Sequence, residues 1–448
     1  MSQELINYLA DQLMKTAPID RELYTRYQVK RGLRNEDGSG VLVGLTKISS
    51  VIGFKKVDEE VVPTEGELYY RGINIRELVN GIQKEKRHGF PEVIYLLLFG
   101  KLPNRKELSD FEEYMKPLIG LPPGLNETTI LQFPSPSVMN KLQRVILVLY
   151  GLDPNPDDIS IPNVIRQSLS LIAKFPIIIA YSYQAMRHKL FGESLFVHPP
   201  NPNLCCGENF LYMLRPDTKY SELEADILDL ALILHAEHGG GNNSTFTTHV
   251  VTSSHTDTYS AIAAAVGSLK GPLHGAANAS VMDMMADIKE HVKDWKDEEE
   301  VAHYVEKILR KEAHDRTGLV YGMGHAVYTK SDPRALILRD KAGELAKVKG
   351  RWDEYQLYRN VEKVTPGLFQ KVKKSNKVIS ANVDFYSGFV YDMLGFPREI
   401  YTPLFAMARV VGWSAHRIEE LINGRRIIRP AYKSVAEPQK YIPLDERE

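Results

Sequence analysis

The chain has 448 residues, enough for a large core and for two or three domains. Its 56 Lys and Arg against 57 Asp and Glu leave a formal charge of −1, so no global field points to nucleic acid or membrane, and any anion site must come from local arginines. The two cysteines, adjacent at Cys205 and Cys206, exclude a disulfide framework and a metal-cysteine cluster and fit a reducing compartment. No apolar run is expected to span a bilayer, and the first 20 residues carry Glu4, Asp11 and Asp20 rather than an apolar leader, so a cytoplasmic location is expected. Matches to Asn-x-Ser/Thr, such as Asn242-Asn243-Ser244, are then chance matches.

Residues 1–30 read as a helix and then a polar arm. Val41-Leu-Val-Gly-Leu-Thr-Lys-Ile48 and Glu67-Leu-Tyr-Tyr-Arg71-Gly72 are short, β-branched or aromatic and bounded by glycine, which predicts a small sheet of two or three strands. From Ile75 onward the pattern is helical. Pro91 to Phe99 is an apolar helix ended by Gly100, and Leu142, Val145, Ile146 and Leu149 mark another over 138–150. A longer helix, Ile161 to Leu190, is interrupted at Pro176. No internal repeat is present, which excludes a solenoid. The fold class is mainly α, with a small β element near the N-terminus.

Ser221 is a good N-cap for a helix expected to reach His238, where Gly239-Gly-Gly ends it. Ile227, Leu230, Ala231 and Leu234 form its buried stripe, and His238, about three turns after Ile227, projects from the same face with His235 one turn behind. A hydrogen-bonded core histidine would look the same. Further on, Ala261, Ile262, Ala265, Val266 and Leu269 bring a helix into Gly271-Pro-Leu-His274-Gly275, and Val281, Met285 and Ile288 resume one. His274 thus sits in a turn, beside the free amides opening the second helix. That terminus repels positive charge and favours a neutral imidazole able to donate to a developing oxyanion. Gly275, Ala276 and Ala277 leave room for a ligand, although a turn histidine between packed helices fits the pattern too.

Residues 283–384 are richer in charge and read as a separate small domain, with 1–282 and 385–448 forming the large one and the two crossings acting as hinges. Within it, Gly322 and Gly324 hold His325 on an irregular loop where backbone amides can approach a ligand. Asp332-Pro333-Arg334 reads as N-cap, N1 and N2 of the next helix. A cation at that terminus is unfavourable unless an anion sits there. Asp384 falls in the first turn of a helix with Phe385, Phe389, Val390 and Met393 inward. The helix terminus lowers its pKa while the apolar neighbours raise it, and a carboxylate poised between them suits a general base. Arg409 lies in an apolar run and needs a partner, and Arg71, Arg334, Arg409 and Arg429 are candidate clamps for a small polyanionic acid.

Taken together and in this order, Leu234-His235-Ala-Glu-His238, Gly271-Pro-Leu-His274-Gly, Gly324-His325-Ala-Val-Tyr with Asp332-Pro-Arg334, and Asn382-Val-Asp384-Phe-Tyr-Ser-Gly resemble the citrate synthase family. Tyr70-Arg-Gly72, Val93 to Gly100 and Ala408-Arg409 with Gly412-Trp413 support the match, which runs from about Val41 to Pro430. The resemblance implies a two-domain helical homodimer that closes over a cleft. It implies that Asp384 takes a proton from the acetyl-CoA methyl group, that His274 stabilises the enol, and that His325 polarises the oxaloacetate ketone. It assigns His238, Arg334, Arg409 and Arg429 to oxaloacetate, Arg429 from the partner subunit. The Gly322-Met323-Gly324 loop is a candidate for CoA contact. Oxaloacetate and acyl-CoA are substrates, and no metal or other cofactor is implied.

The chemistry is consistent with this. A thioester methyl is a very weak acid, so a carboxylate alone cannot deprotonate it usefully, and each well-placed donor to the enolate oxygen contributes about 3–4 kcal/mol. Two rivals stand beside this reading. A 2-methylcitrate synthase differs by one CH2, worth only about 1–3 kcal/mol in an apolar pocket. A metal-dependent hydrolase would use His235, His238, His249 and His274, but the spacing is His-x-x-His, not His-Glu-x-x-His.

Overall fold

The structure is a computed structural model and describes residues 3–36, 38–57, 60–275 and 277–447; Ala276, one of the small residues beside His274, lies outside them. It divides into two compact units, one up to Leu45 and one from Thr46 onward. The first unit holds α1 (Gln3–Thr16) and α2 (Arg21–Arg26), the latter capped by Asp20, which accepts the Glu22 N–H at 3.0 Å.

The second unit opens with an antiparallel sheet in the order β1 (Ser49–Val57), β2 (Glu60–Tyr70), β3 (Ile73–Asn74), Ser49 lying opposite Tyr70. The stretch Val41–Ile48, expected as a strand, forms none. Among the described residues its backbone bonds other backbone only at its ends, Val41 N–H to Leu33 O and Arg71 N–H to Ile48 O, and Leu42 and Leu45 stand 84 % and 91 % exposed, so local β propensity goes unrewarded. Gly53 and Gly66 allow the sheet to meet the chain at 327–331 backbone to backbone, since a Cβ at either would run into the carbonyls of Val327 or Ser331. Thr329 Oγ donates to Gly53 O, and Ser331 Oγ accepts the Gly66 N–H at 3.0 Å. The sheet is thus a seat for the segment that carries His325 and Arg334.

The rest is helical, as expected: α3 (Ile75–Lys84), α4 (Phe90–Phe99), α5 (Arg105–Met115), α6 (Val138–Tyr150), α7 (Ile161–Phe191), α8 (Cys206–Leu214), α9 (Glu222–His235), α10 (Asn243–Thr252) and α11 (Thr258–Lys270). There follow α12 (Pro272–Gly275), α13 (Ala277–His291), α14 (Glu298–Leu309), α15 (Pro333–Val348), α16 (Trp352–Lys373), α17 (Val383–Met393) and α18 (Tyr401–Asn423). The caps follow the sequence: Gly100 ends α4 at φ 79°, and Ser221 with Glu224 forms a capping box on α9.

Helix α7 corrects two expectations. It runs unbroken through Pro176, because that turn is buried among Phe175, Ile177 and Ile178 and the packing offsets the lost hydrogen bond. It also has the length and apolarity to cross a membrane, yet 83 % of its most apolar window is buried inside the protein, as in a core helix. Helix α18 is buried from Met407 to Ile418 and packs on α4, α7, α9, α10 and α11. Among the later elements α14 packs on α16, and α15 on α17 and α9.

Candidate active site

Helix α9 ends at His235, three residues short of His238, where the glycines were expected to stop it. Two side chains from elsewhere capture its end. The buried Tyr70 hydroxyl lies 3.0 Å from Ile233 O and 3.1 Å from Glu237 O and accepts the Glu237 N–H, and Arg409 Nε donates to His235 O at 2.6 Å. His238 therefore sits on the loop after the helix. Its Nε2 is buried and has no hydrogen-bond partner among the described residues. Its ring meets His325 edge to face at 5.1 Å and Tyr328 at 5.5 Å. Burial, then the Arg334 charge, holds it well below the ordinary imidazole range.

His325 follows Gly322 and Gly324, at φ 77° and 94°. The glycines serve packing rather than an open amide cradle. Gly324 N–H is taken by Ser380 O at 2.7 Å, and a side chain at Gly322 would collide with Val281 and Phe385. His325 Nδ1 accepts the N–H of Val327 at 2.9 Å and of Tyr328 at 3.0 Å. That fixes the tautomer, because a nitrogen receiving two amide hydrogens cannot carry its own, so the ring's proton is on Nε2. Burial, then Arg334, lowers its pKa to about 4, so the ring is a neutral donor at physiological pH.

Arg334 is buried at N2 of α15, as expected, and the anion that stabilises it belongs to the chain. The N-cap Asp332 accepts its N–H, its Nε at 3.1 Å and an Nη2 hydrogen at 2.8 Å. Asp332 Oδ2 also accepts the Val383 N–H at 3.1 Å, so one carboxylate binds the starts of α15 and α17 together. Next to Val383, Asp384 stands at N2 of α17, where Asn382 caps it. Burial pushes its carboxyl up to about 6 against the opposing pull of Arg334 and Arg409.

His274 lies on the short α12 and its Nε2 is 3.1 Å from Ser244 Oγ. Burial first, then Arg409, lowers its pKa to about 4; a neutral ring was expected, but burial, not the helix terminus, is the main cause. Ser244 also accepts the Trp413 indole N–H at 3.1 Å and lies 2.9 Å from Asn242 Oδ1. Sequence reading missed Ser244 as a site residue; the only signal was that it follows the mobile-φ run Gly239-Gly-Gly, which brings α10 back beside α12.

The two guanidiniums link the set: Arg334 acts on His238, His325 and Asp384, and Arg409 on His238, His274 and Asp384. Two expected groups are not gathered. Arg71 gives Nε and Nη2 to Leu97 O, at 3.0 and 2.7 Å, and so holds β2 to α4 rather than a ligand. Arg429 lies exposed on the chain after α18, with no bond to this cluster among the described residues. The four histidines of the hydrolase alternative do not converge. His235 bonds Tyr391 at 2.7 Å and stacks on Phe405, His249 pairs with His416, His274 with Ser244, and His238 faces His325. A cavity of about 1130 Å³ elsewhere, between α4, α5, α7 and α8, includes none of the gathered residues.

Two neutral imidazoles, a carboxylate raised toward neutral pH and two buried guanidiniums suit proton transfer beside a bound anion. Comparison with known proteins makes that more particular. Residues 37–431 match the family model described as citrate synthase, C-terminal domain. The chain is 36% identical over 411 residues to the citrate synthase of Synechocystis sp., covering 91% of this chain and 93% of that one. It is 33% identical to 2-methylcitrate synthase 1 of Corynebacterium glutamicum, covering 94% and 99%. The crystal structure of citrate synthase from Pyrobaculum aerophilum superposes with a TM-score of 0.74 at 31% identity, covering 91% of this chain and 94% of that one. The chain belongs to the citrate synthase family, and is an acyltransferase.

Proposed function

We propose that this chain condenses acetyl-CoA with oxaloacetate and hydrolyses the resulting thioester to citrate and CoA. The observation that carries the chemistry is the opposed tuning of the site: Asp384 is raised to about 6 while His274 and His325 are lowered to about 4. Groups tuned apart in this way can play base and neutral donor at one pH. Asp384 takes a methyl proton, and the C–H electrons pass to the thioester oxygen. His274 stabilises that oxygen by donating from Nδ1, which requires the Ser244 hydroxyl to turn its hydrogen from Asn242 Oδ1 to Nε2. The enol carbon attacks the ketone carbon of oxaloacetate, whose C=O electrons pass to its oxygen; His325 gives its Nε2 proton to that alkoxide, and the proton Asp384 took from carbon returns to the ring, so no imidazolate is left. Water then cleaves the thioester, releasing CoA as the thiol.

His238 Nε2, Arg409 and the edge of Arg334 that Asp332 leaves uncovered bind oxaloacetate. Arg429 joins them from the partner subunit of a homodimer, which is why it stands outside the cluster in a single chain. Closure of the cleft excludes water from the enol.

The test is thiol release from acetyl-CoA and, separately, propionyl-CoA, each with and without oxaloacetate, in chelator. Faster oxaloacetate-dependent release from acetyl-CoA is the expected result. Faster release from propionyl-CoA would make the chain a 2-methylcitrate synthase, a reading supported by the Corynebacterium relative. Release from neither would overturn the proposal.

A further inference from the structure

Beside the site lies a buried chain of hydrogen bonds that the catalytic scheme does not use. Glu237 Oε1 is 3.0 Å from His416 Nε2, His416 Nδ1 is 3.2 Å from His249 Nε2, and His249 Nδ1 is 2.8 Å from Glu420 Oε2. His416 and Glu237 are fully buried. Counting protons along this chain decides its charge. Each outer nitrogen faces a carboxylate oxygen, and with both carboxylates ionised, Glu237 by the donors around it and Glu420 by the solvent that reaches its side chain, each carries a hydrogen. Two neutral rings would then turn bare lone pairs toward each other across 3.2 Å, with no hydrogen between them. One more proton is needed.

The surroundings say where it sits. Glu237 Oε1 already receives the Ser49 hydroxyl at 2.8 Å and the Gly239 N–H at 2.6 Å, the pattern of an ionised acceptor. A proton on its other oxygen would have no acceptor among the described residues. His416 Nδ1, by contrast, also faces Glu419 Oε2 at 4.0 Å, a buried oxygen with no hydrogen-bond partner among the described residues. Three carboxylates, Glu237, Glu419 and Glu420, thus converge here, and Arg71 and Arg409 are the guanidiniums near enough to act on them. A cationic His416 balances the set. His249, which burial and His416 hold below the ordinary imidazole range, is its neutral acceptor.

We propose that His416 is an imidazolium held between Glu237 and His249, and that it is a positioning residue for His238. Glu237 is the mechanical link. Its carboxylate bonds the Gly239 N–H, so residues 237 and 239 are clasped on either side of His238, and its neighbour Ala236 receives the Gly412 N–H at 3.2 Å. If the His416 proton is lost, Glu237 loses a charged donor and the clasp that aims His238 Nε2 into the site is weakened. This second part rests on the reading of His238 as an oxaloacetate donor.

Two measurements test it. In protein labelled with ¹⁵N-histidine, with signals assigned through single variants, His416 should show two protonated ring nitrogens at neutral pH and His249 one protonated and one bare. Two neutral rings would overturn the charge assignment. In steady-state kinetics, His249→Leu removes the acceptor of the His416 Nδ1–H and should raise the oxaloacetate KM about tenfold, with kcat per folded active site within about twofold. His249→Gln, whose amide oxygen can accept that hydrogen, should restore KM. An unchanged KM in the leucine variant, or a loss confined to kcat, would overturn the positioning role. Absence of turnover in the unaltered enzyme would instead sink the functional reading, and the ring signals would still decide the proton.

Discussion

Asp384→Asn should make the protein more stable and nearly inactive. Burial holds the Asp384 carboxyl at about 6, against 3.8 for an ordinary aspartate. The folded chain therefore binds this proton more tightly than the unfolded chain does. The stability that this provides is complete below about pH 4, is lost as pH rises through about 6, and is absent at pH 7, where the fold carries a partly buried charge. The gap corresponds to at most about 3 kcal/mol. Asparagine is neutral at every pH and escapes the penalty. For 448 residues that is an increase of up to about 3 °C in the thermal midpoint at pH 7, shrinking toward zero by about pH 4. Turnover should fall at least about 100-fold, the usual cost of removing a positioned base. The assay is a pair of melting curves at pH 7 and pH 4 alongside thiol release. A variant that is less stable at pH 7, a midpoint difference that does not close with acid, or near-normal turnover would refute the reasoning.

The same carboxyl should dominate the pH profile: kcat/KM falls below about pH 6 with a slope of one, while His274 and His325, already neutral above about pH 4, add no limb between 5 and 7. A midpoint near 4 would remove Asp384 as the base. His325→Ala should lower kcat about 10²- to 10³-fold through loss of the Nε2 donor, measured at saturating oxaloacetate. Asp332→Ala strands the buried Arg334 and frees the Val383 amide, and should cost about 3–5 kcal/mol in denaturant unfolding. Gly412→Ala, favourable by helix propensity alone, should instead destabilise by about 1–3 kcal/mol, because the added carbon meets Glu237 Oε2 and Ala236 O.

What could be read in advance was local. His274, His325 and Asp384 each lie beside a proline, a pair of glycines or an Asn cap, and the neighbouring backbone dictates where such residues stand. His238 was placed on the wrong element because α9 is stopped by Tyr70 and Arg409, which lie 163 and 174 residues away from the carbonyls they cap. Val41–Ile48 has the composition of a strand, but a strand exists only with a partner, and pairing begins at Ser49. Arg71 and Arg334 looked alike as candidate clamps; only the fold shows that Leu97 O satisfies the first and Asp332 the second. Ser244 had only the preceding glycine run to mark it and the His249–His416 pair had no local pattern, because their partners come from α12 and from across the packed helices α10 and α18.

Asp332 has a further consequence. Because its one carboxylate grips both Arg334 and the amide that precedes Asp384, these two side chains, proposed as anchor and base, are held as a single cassette, with His325 on the segment seated against the sheet. His274, Arg409 and His238 belong to other helices and loops. Displacement between the two sets would leave each internally intact yet chemically idle: a base facing a methyl group with no donor for its oxygen, and a donor with nothing to stabilise. On the proposed scheme the reaction is in this way interlocked by geometry, carbon acid chemistry beginning only when both halves register, so that the reactive enol forms where its acceptor is already waiting.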